Sequence, residues 1–311
     1  PDAARVRRAA SVYHAWIAPL DTIMSDRLLA IRPRAEDVGG VPILRPLPSA
    51  QRRSVGPFVF FDHMLESRFA PEHGMDIRQH PHIGLSTLTY LFEGQVQHKD
   101  SLGSDQLVLP GDVSWMTAGR GVAHVERTPA DLLHSGSRLH GLQVWLALPR
   151  ELEGCEPSYS HHAAASLPES DSLGVRVRMI AGTGFCLESP VPVRSKTLYA
   201  DLHFAAGATL AIPDEHPERA LYLIEGEALL DDEPLPLHEL LVLPEGETFT
   251  LSACGDCHAV IIGGDALDGP RRMNWNFVAS DPVLIDSARE RWAARDWPTV
   301  PGEQERIELP R

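Results

Sequence analysis

The stretch YLFEGQV at residues 90–96 recurs as YLIEGEA at 222–228, and LVLPGD at 107–112 recurs as LVLPEGE at 241–247. The matches keep their order, at offsets of 132 and 134 residues, which points to an internal duplication. A chain of 311 residues has room for two domains, and the repeat makes them two copies of one architecture. Each copy is built from short apolar runs such as VSWM (113–116), GLQVWLALP (141–149) and AVIIGG (259–264), punctuated throughout by 24 glycines and 26 prolines. Many short strands with frequent turns imply an all-β fold, sandwich or barrel. Helical spacing is clear only near the end. There SDPVLIDSARERWAARDW (280–297) opens with a capping residue and Pro282 and places Val283, Ile285, Ala288 and Trp292 on one face. The reading is an N-terminal extension over 1–25, a first β domain over 26–153, a Ser-, His-, Pro- and Ala-rich connector over 154–172, a second β domain over 173–280, and a C-terminal helix and tail over 281–311.

Composition narrows the partners. With 28 basic against 43 acidic side chains, the net charge of −15 argues against a nucleic-acid backbone. No apolar run approaches the ~18 residues that span a bilayer. The Arg-rich start, PDAARVRRAASVYHAWIAPL, lacks the continuous apolar core of a secretory signal. Four cysteines in a chain of this size do not make a disulfide framework, so the expected location is a reducing cytoplasm.

The chemistry is concentrated in HPHIGLSTLTYLFEG (80–94). Proline has no N–H for a sheet ladder and sits at strand starts, edges or bulges. His80 and His82 therefore belong where a strand begins, two residues apart and on one face. Downstream, PGDVSWMTAGRGVAHVERTP (110–129) turns at its glycines and enters a second strand in which His124 and Glu126 share a face. Either pair alone reads better as surface or hydrogen-bonded strand residues. If the two strands are neighbours, the opposed side chains lie ~4.5–5.5 Å apart at Cβ, and the four make a rectangle that could reach one ion. Three imidazoles and a carboxylate bind first-row metals at ~2.0–2.2 Å, and a closed structural zinc site would normally include cysteine. The nearest cysteine is more than 25 residues away in sequence, so an open site, suited to chemistry, is expected.

Together GPFVFFDHM, HPHIGLSTLTYLFEG, DSLGS, PGDVSWMTAGRGVAHVE and LHGLQVWLALP resemble the pirin-like proteins of the cupin superfamily, continuously over about 40–150 and more weakly through the second half. The resemblance implies an all-β protein of two tandem cupin (jelly-roll) barrels with a short C-terminal helix. It also implies a metal in the first barrel on His80, His82, His124 and Glu126, the same four residues that spacing selects. Some members of the family act as quercetin dioxygenases. Others are redox-sensitive interaction partners.

The expected function is a metal-dependent dioxygenase that cleaves a flavonol or similar hydroxy-ketone aromatic with O2, Glu126 serving as catalytic base as well as ligand. The rival is a non-enzymatic iron-binding redox sensor that regulates a protein partner. One divalent ion per chain is expected. Iron(II) is favoured, because N/O sites with open positions suit dioxygen chemistry, and manganese, nickel, cobalt, copper or zinc are the other ions the donors accommodate.

Other histidines are assigned lesser roles. His98 reads as a partly exposed strand residue, with an inward-facing role beside the site as the alternative. His63 reads as packing near the site entrance, and His161 and His162 as solvated. Trp115 and Met116 fit either a substrate pocket or the core. CGDCH (254–258) fits the haem-attachment pattern, but it runs into AVIIGG without an export signal and reads as a strand lead-in. Adding 134 to the first site places His258 on His124 but Val260 on Glu126, so the second domain is expected to be metal-free.

Overall fold

A computed structural model describes residues 28–310. The extension assigned to 1–25 lies outside the described residues.

Two barrels follow one another, each a large antiparallel sheet faced by a four-stranded one. In the first, the large sheet runs Ser158–His162, Val113–Thr117, Leu85–Gly94, Ser137–Ala147, Phe58–Phe69, Val41–Leu47, Arg34–Val38. Its small sheet runs Asp76–His82, Val122–Arg127, Val96–Asp100, Asp105–Val108. The second barrel repeats the plan. Leu240–Leu243, Glu218–Glu225, Cys257–Gly264 and Thr197–Phe204 are consecutive in its large sheet, and Thr209–Ile212, Phe249–Ala253, Ala228–Leu230 and Glu233–Pro234 form its small one. The stretch assigned as connector carries two strands. Ser158–His162 joins the first barrel through Val113–Thr117, and Glu169–Ser172 joins the second through Val175–Gly184.

Strand order corrects the sequence alignment of the copies. YLFEG and YLIEG do occupy equivalent strands, Leu85–Gly94 and Glu218–Glu225. The second match is a coincidence. LVLP at 107–110 closes a small-sheet strand, whereas LVLP at 241–244 lies in the large sheet, where its counterpart is Val113–Thr117. His258 consequently stands on the counterpart of Ser137–Ala147 and is not the equivalent of His124. The true counterparts of the two motif-bearing strands read TLAI and FTLSA, with no histidine, cysteine or carboxylate.

The barrels share one core, in which Phe61, Tyr90 and Leu142 from the first meet Tyr199, Tyr222 and Val260 from the second. Its polar contacts are reciprocal. The Tyr90 hydroxyl donates to Asp201 Oδ2 across the seam at 2.8 Å, and the equivalent Tyr222 hydroxyl meets His63 Nδ1 at 3.1 Å. His63 is thus a seam residue, not part of a site entrance. A hydrogen bond to a buried charge is worth more than one between neutral groups. Tyr90→Phe should therefore destabilise the chain by about 1.5–3 kcal/mol, and Tyr222→Phe by only about 0.5–1.5 kcal/mol. Urea denaturation of the two variants tests the order, and equal losses would show that Asp201 carries no charge in the fold.

The two ends of the described residues cross over. Leu29–Ile31 pairs with Leu240–Leu243 of the second barrel, while the C-terminal arm returns to the first. The helix Pro282–Ala293 is capped by Asp281, whose side chain accepts from the Val283 N–H at 2.9 Å. Ile285, Ala288 and Trp292 are buried as the spacing predicts, but Val283 is 64% exposed, because it stands two positions before Ile285, about 200° round the helix. That surface includes Ile83, Ala123 and Val125. Strand alternation does the rest: with Ala123 and Val125 held under the arm, His124 and Glu126 must face the barrel interior.

Candidate metal centre

Asp76–His82 and Val122–Arg127 are antiparallel neighbours, the condition under which the four side chains could reach one ion. The register is less symmetric than a rectangle. His124 lies opposite His80, His82 lies opposite Val122, and an extra residue in the partner strand, at Arg78–Gln79, sets Glu126 opposite Ile77. After HPHI the chain turns at Gly84 (φ +68°), where an added Cβ would come within 1.9 Å of the Val278 carbonyl oxygen.

One ring nitrogen each of His80, His82 and His124 lies within 4.8 Å of the other two, and all three residues are buried. Glu126 groups instead with His124 and His98, its partner across the next strand pair. Along its strand the carboxylate lies beyond His124 from the position that faces His82. Its Oε1 accepts from the Thr89 hydroxyl at 3.0 Å, and that hydroxyl also lies 2.6 Å from Gln143 Oε1. Glu126, Thr89 and Gln143 line a cavity of about 40 Å³ walled by Val41, Ile43 and Met64.

The imidazoles are turned for coordination. His82 Nε2 and His124 Nε2 face each other at 3.1 Å. The other nitrogens point outward: His80 Nδ1 donates to the Arg78 carbonyl oxygen at 2.8 Å, and His124 Nδ1 points to His98 Nδ1 at 3.5 Å. His98 in turn lies 3.2 Å from Asp100 through its Nε2. Asp100 is fully buried and accepts from the Leu102 and Ser104 amides. Burial holds all three imidazoles in the neutral form, lowering His80 to about 4 and the other two well below the ordinary histidine value. Burial also raises the Glu126 carboxyl, with the His98 charge and the Thr89 hydrogen bond opposing it. Trp145 meets the His82 ring edge to face at 5.1 Å and is itself stacked on Phe60.

His98 corrects the expectation of a partly exposed residue. It is 2% exposed and stacked on Tyr159. Its strand reads V-Q-H-K-D with alternate residues buried, so the signal was the pair His98 and Asp100 at i,i+2, the same spacing that selected His124 and Glu126. Trp115 and Met116 belong to the core at 1% exposure each. His161 is half-buried and sits 2.8 Å from Asp112, because Ser158–His162 is a strand of the first barrel, not a solvated linker. CGDCH leads into a strand, with Cys254 exposed and Cys257 buried.

Groups that orient a metal-ligating histidine typically contribute 10–100-fold to metal affinity. His98→Ala should weaken metal retention by about that factor and leave the fold intact, since Asp100 keeps its backbone donors. Competition with a chelator measures it, and unchanged retention would show that His124 needs no such partner.

Comparison with known proteins shows the family and agrees with the fold. The Pirin family model matches residues 40–146, and that of the Pirin C-terminal cupin domain matches 199–298. A pirin-like protein of Caulobacter vibrioides is 42% identical over 84% of this chain and 91% of its own length. A putative quercetin 2,3-dioxygenase of Pseudomonas aeruginosa is 35% identical over 84% of this chain and 82% of its own. The crystal structure of a quercetin 2,3-dioxygenase from Acinetobacter baumannii superposes with a TM-score of 0.85 at 31% identity, covering 91% of this chain and 95% of that one. The architecture is that of two tandem cupin barrels.

Proposed function

The chain belongs to the pirin family, and from that premise and the geometry of the imidazole cluster we propose that it is a metal-dependent dioxygenase acting on a flavonol or a similar hydroxy-ketone aromatic. The ligands are His80, His82 and His124 through Nε2, with Glu126 as the fourth. The observation that carries the reading is the 3.1 Å approach of His82 Nε2 to His124 Nε2. With the protons of His82 and His124 placed on their Nδ1 atoms, these are two lone pairs facing each other in a buried cluster, an arrangement a cation between them relieves. Two donors at ~2.0–2.2 Å from one ion lie about this far apart.

Iron(II) suits three imidazoles and a carboxylate with open positions. When bound, such an ion supplies a Lewis-acidic centre for the substrate's oxygens and for dioxygen. The remaining work belongs to side chains. His98 and Asp100 fix the His124 ring, and the Arg78 carbonyl fixes that of His80. Glu126 takes the proton of the substrate hydroxyl, the step that makes a flavonol electron-rich enough to react with dioxygen. Thr89 has one hydroxyl proton for two acceptors, so turning the Gln143 amide N–H toward it commits that proton to Glu126 and steadies the carboxylate. The relatives of Pseudomonas and Acinetobacter named above support flavonols as the substrate class.

The iron-loaded chain should bleach the visible absorbance of quercetin in air and leave it unchanged under argon. Equal decay in the two atmospheres would remove dioxygen from the reaction.

A further inference from the structure

Across the seam from the first site stands a second set of metal-type donors. Asp201 and His203, two apart on Thr197–Phe204, share a face, and His258 on the neighbouring strand lies directly opposite His203. One donor atom from each lies within 4.8 Å of the other two. His258 Nε2 is 2.5 Å from Asp201 Oδ1, and His203 Nε2 is 3.3 Å from Asp201 Oδ2. The two imidazoles stack with centroids 4.0 Å apart and planes 13° from parallel, so both direct Nε2 at one carboxylate.

We propose that Asp201, His203 and His258 form a second cation site, for a zinc-like divalent ion, at the junction of the two barrels. Two imidazoles and one carboxylate on a pair of strands are the donors first-row ions select, whereas calcium and magnesium favour oxygen alone. Three protein ligands leave a fourth position open. The strand runs from the interior to the rim: Tyr199 and Asp201 are buried, while the His203 side chain is 37% exposed, so an ion reaches the site past His203. On the inner side the buried Tyr199 hydroxyl has no hydrogen-bond partner. It is a free donor on the same face as Asp201.

The first barrel supplies the control. His63 and His140 occupy the positions equivalent to Asp201 and His258, with Nε2 atoms 2.9 Å apart, and Leu65 stands where the second barrel has His203. The third imidazole beside His63 is His238 of the second barrel, at 5.1 Å between ring centroids, and no carboxylate stands among the three. The second barrel's cluster instead sets a carboxylate against its two imidazoles at one point, and Asp201 also accepts from Tyr90 of the first barrel. An ion held there ties the two barrels together. It is independent of the catalytic reading, since none of its donors belongs to that site.

Equilibrium dialysis against zinc(II) tests the assignment. The wild-type chain should bind two equivalents. His203→Ala removes a half-exposed ring and should keep the fold and flavonol turnover, yet lose the weaker equivalent, its Kd rising at least about tenfold. Asp201→Asn should do the same. His80→Ala plus His124→Ala should keep one equivalent, lost when His203→Ala is added. A wild-type chain that saturates at one zinc, or a second zinc that survives His203→Ala, would overturn the proposal and leave the cluster a hydrogen-bonded network only.

Discussion

Replacing His80 and His124 together by alanine should strip the chain of its tightly held ion and abolish flavonol turnover, while both barrels remain folded. The argument is geometric. His124 belongs to both donor groups around the site, with His80 and His82 on one side and with His98 and Glu126 on the other. His80 lies opposite it in the strand register. Without both, one imidazole and one carboxylate remain, too few to hold an ion through dialysis. The fold survives because the surface facing the C-terminal arm is made by Ile83, Ala123 and Val125, which the substitutions do not touch. Elemental analysis after dialysis, with circular dichroism as control, gives the answer. A folded double variant that still carries its tightly held ion when His203→Ala is added would place the metal elsewhere.

Glu126→Gln separates ligand from base. The amide keeps the shape and a carbonyl oxygen, so metal should be retained, about 10–100-fold more weakly. It cannot accept a proton as a carboxylate does, so turnover at saturating metal should fall by about 10² or more. Metal binding ordinarily lowers a carboxylate's basicity. Two features of the structure work the other way: burial raises Glu126 above the usual glutamate value, and its carboxylate groups with His98 and His124, not with His80 and His82. If the metal-saturated variant turns over flavonol at the wild-type rate, Glu126 is only a ligand and the base lies elsewhere.

Much of the site could be read from the chain because strands advertise their faces every second residue. HPH, HVE and the strand preference of their surroundings were enough to bring His80, His82 and His124 together. The same rule, applied to Val96–Asp100, would have placed His98 and Asp100 inside. What local pattern could not supply was register. The bulge opposite Val125 is one extra residue in the partner strand, at Arg78–Gln79, with no signature in DIRQHPH. The LVLP repeat matched letters in strands of different sheets, and it drew His258 onto the wrong counterpart. The crossing of the two ends of the described residues is likewise a long-range pairing, set by cores that form only once both barrels exist. The seam shows the limit most clearly. Tyr90 and Tyr222 were visible as the first letters of a repeat, but their partners, Asp201 and His63, are 111 and 159 residues away.

The central claim is that the first-barrel cluster holds a metal with which this chain cleaves flavonols. Ring opening by a dioxygenase puts both oxygen atoms of O2 into products and expels one ring carbon as carbon monoxide. The most direct measurement is therefore the carbon monoxide released per quercetin consumed, on protein shown to carry one iron in that cluster. The account predicts one carbon monoxide and one O2 per quercetin, and none from the His80→Ala plus His124→Ala chain. Quercetin left intact by the iron-loaded wild type in air, or consumed without carbon monoxide, would contradict it.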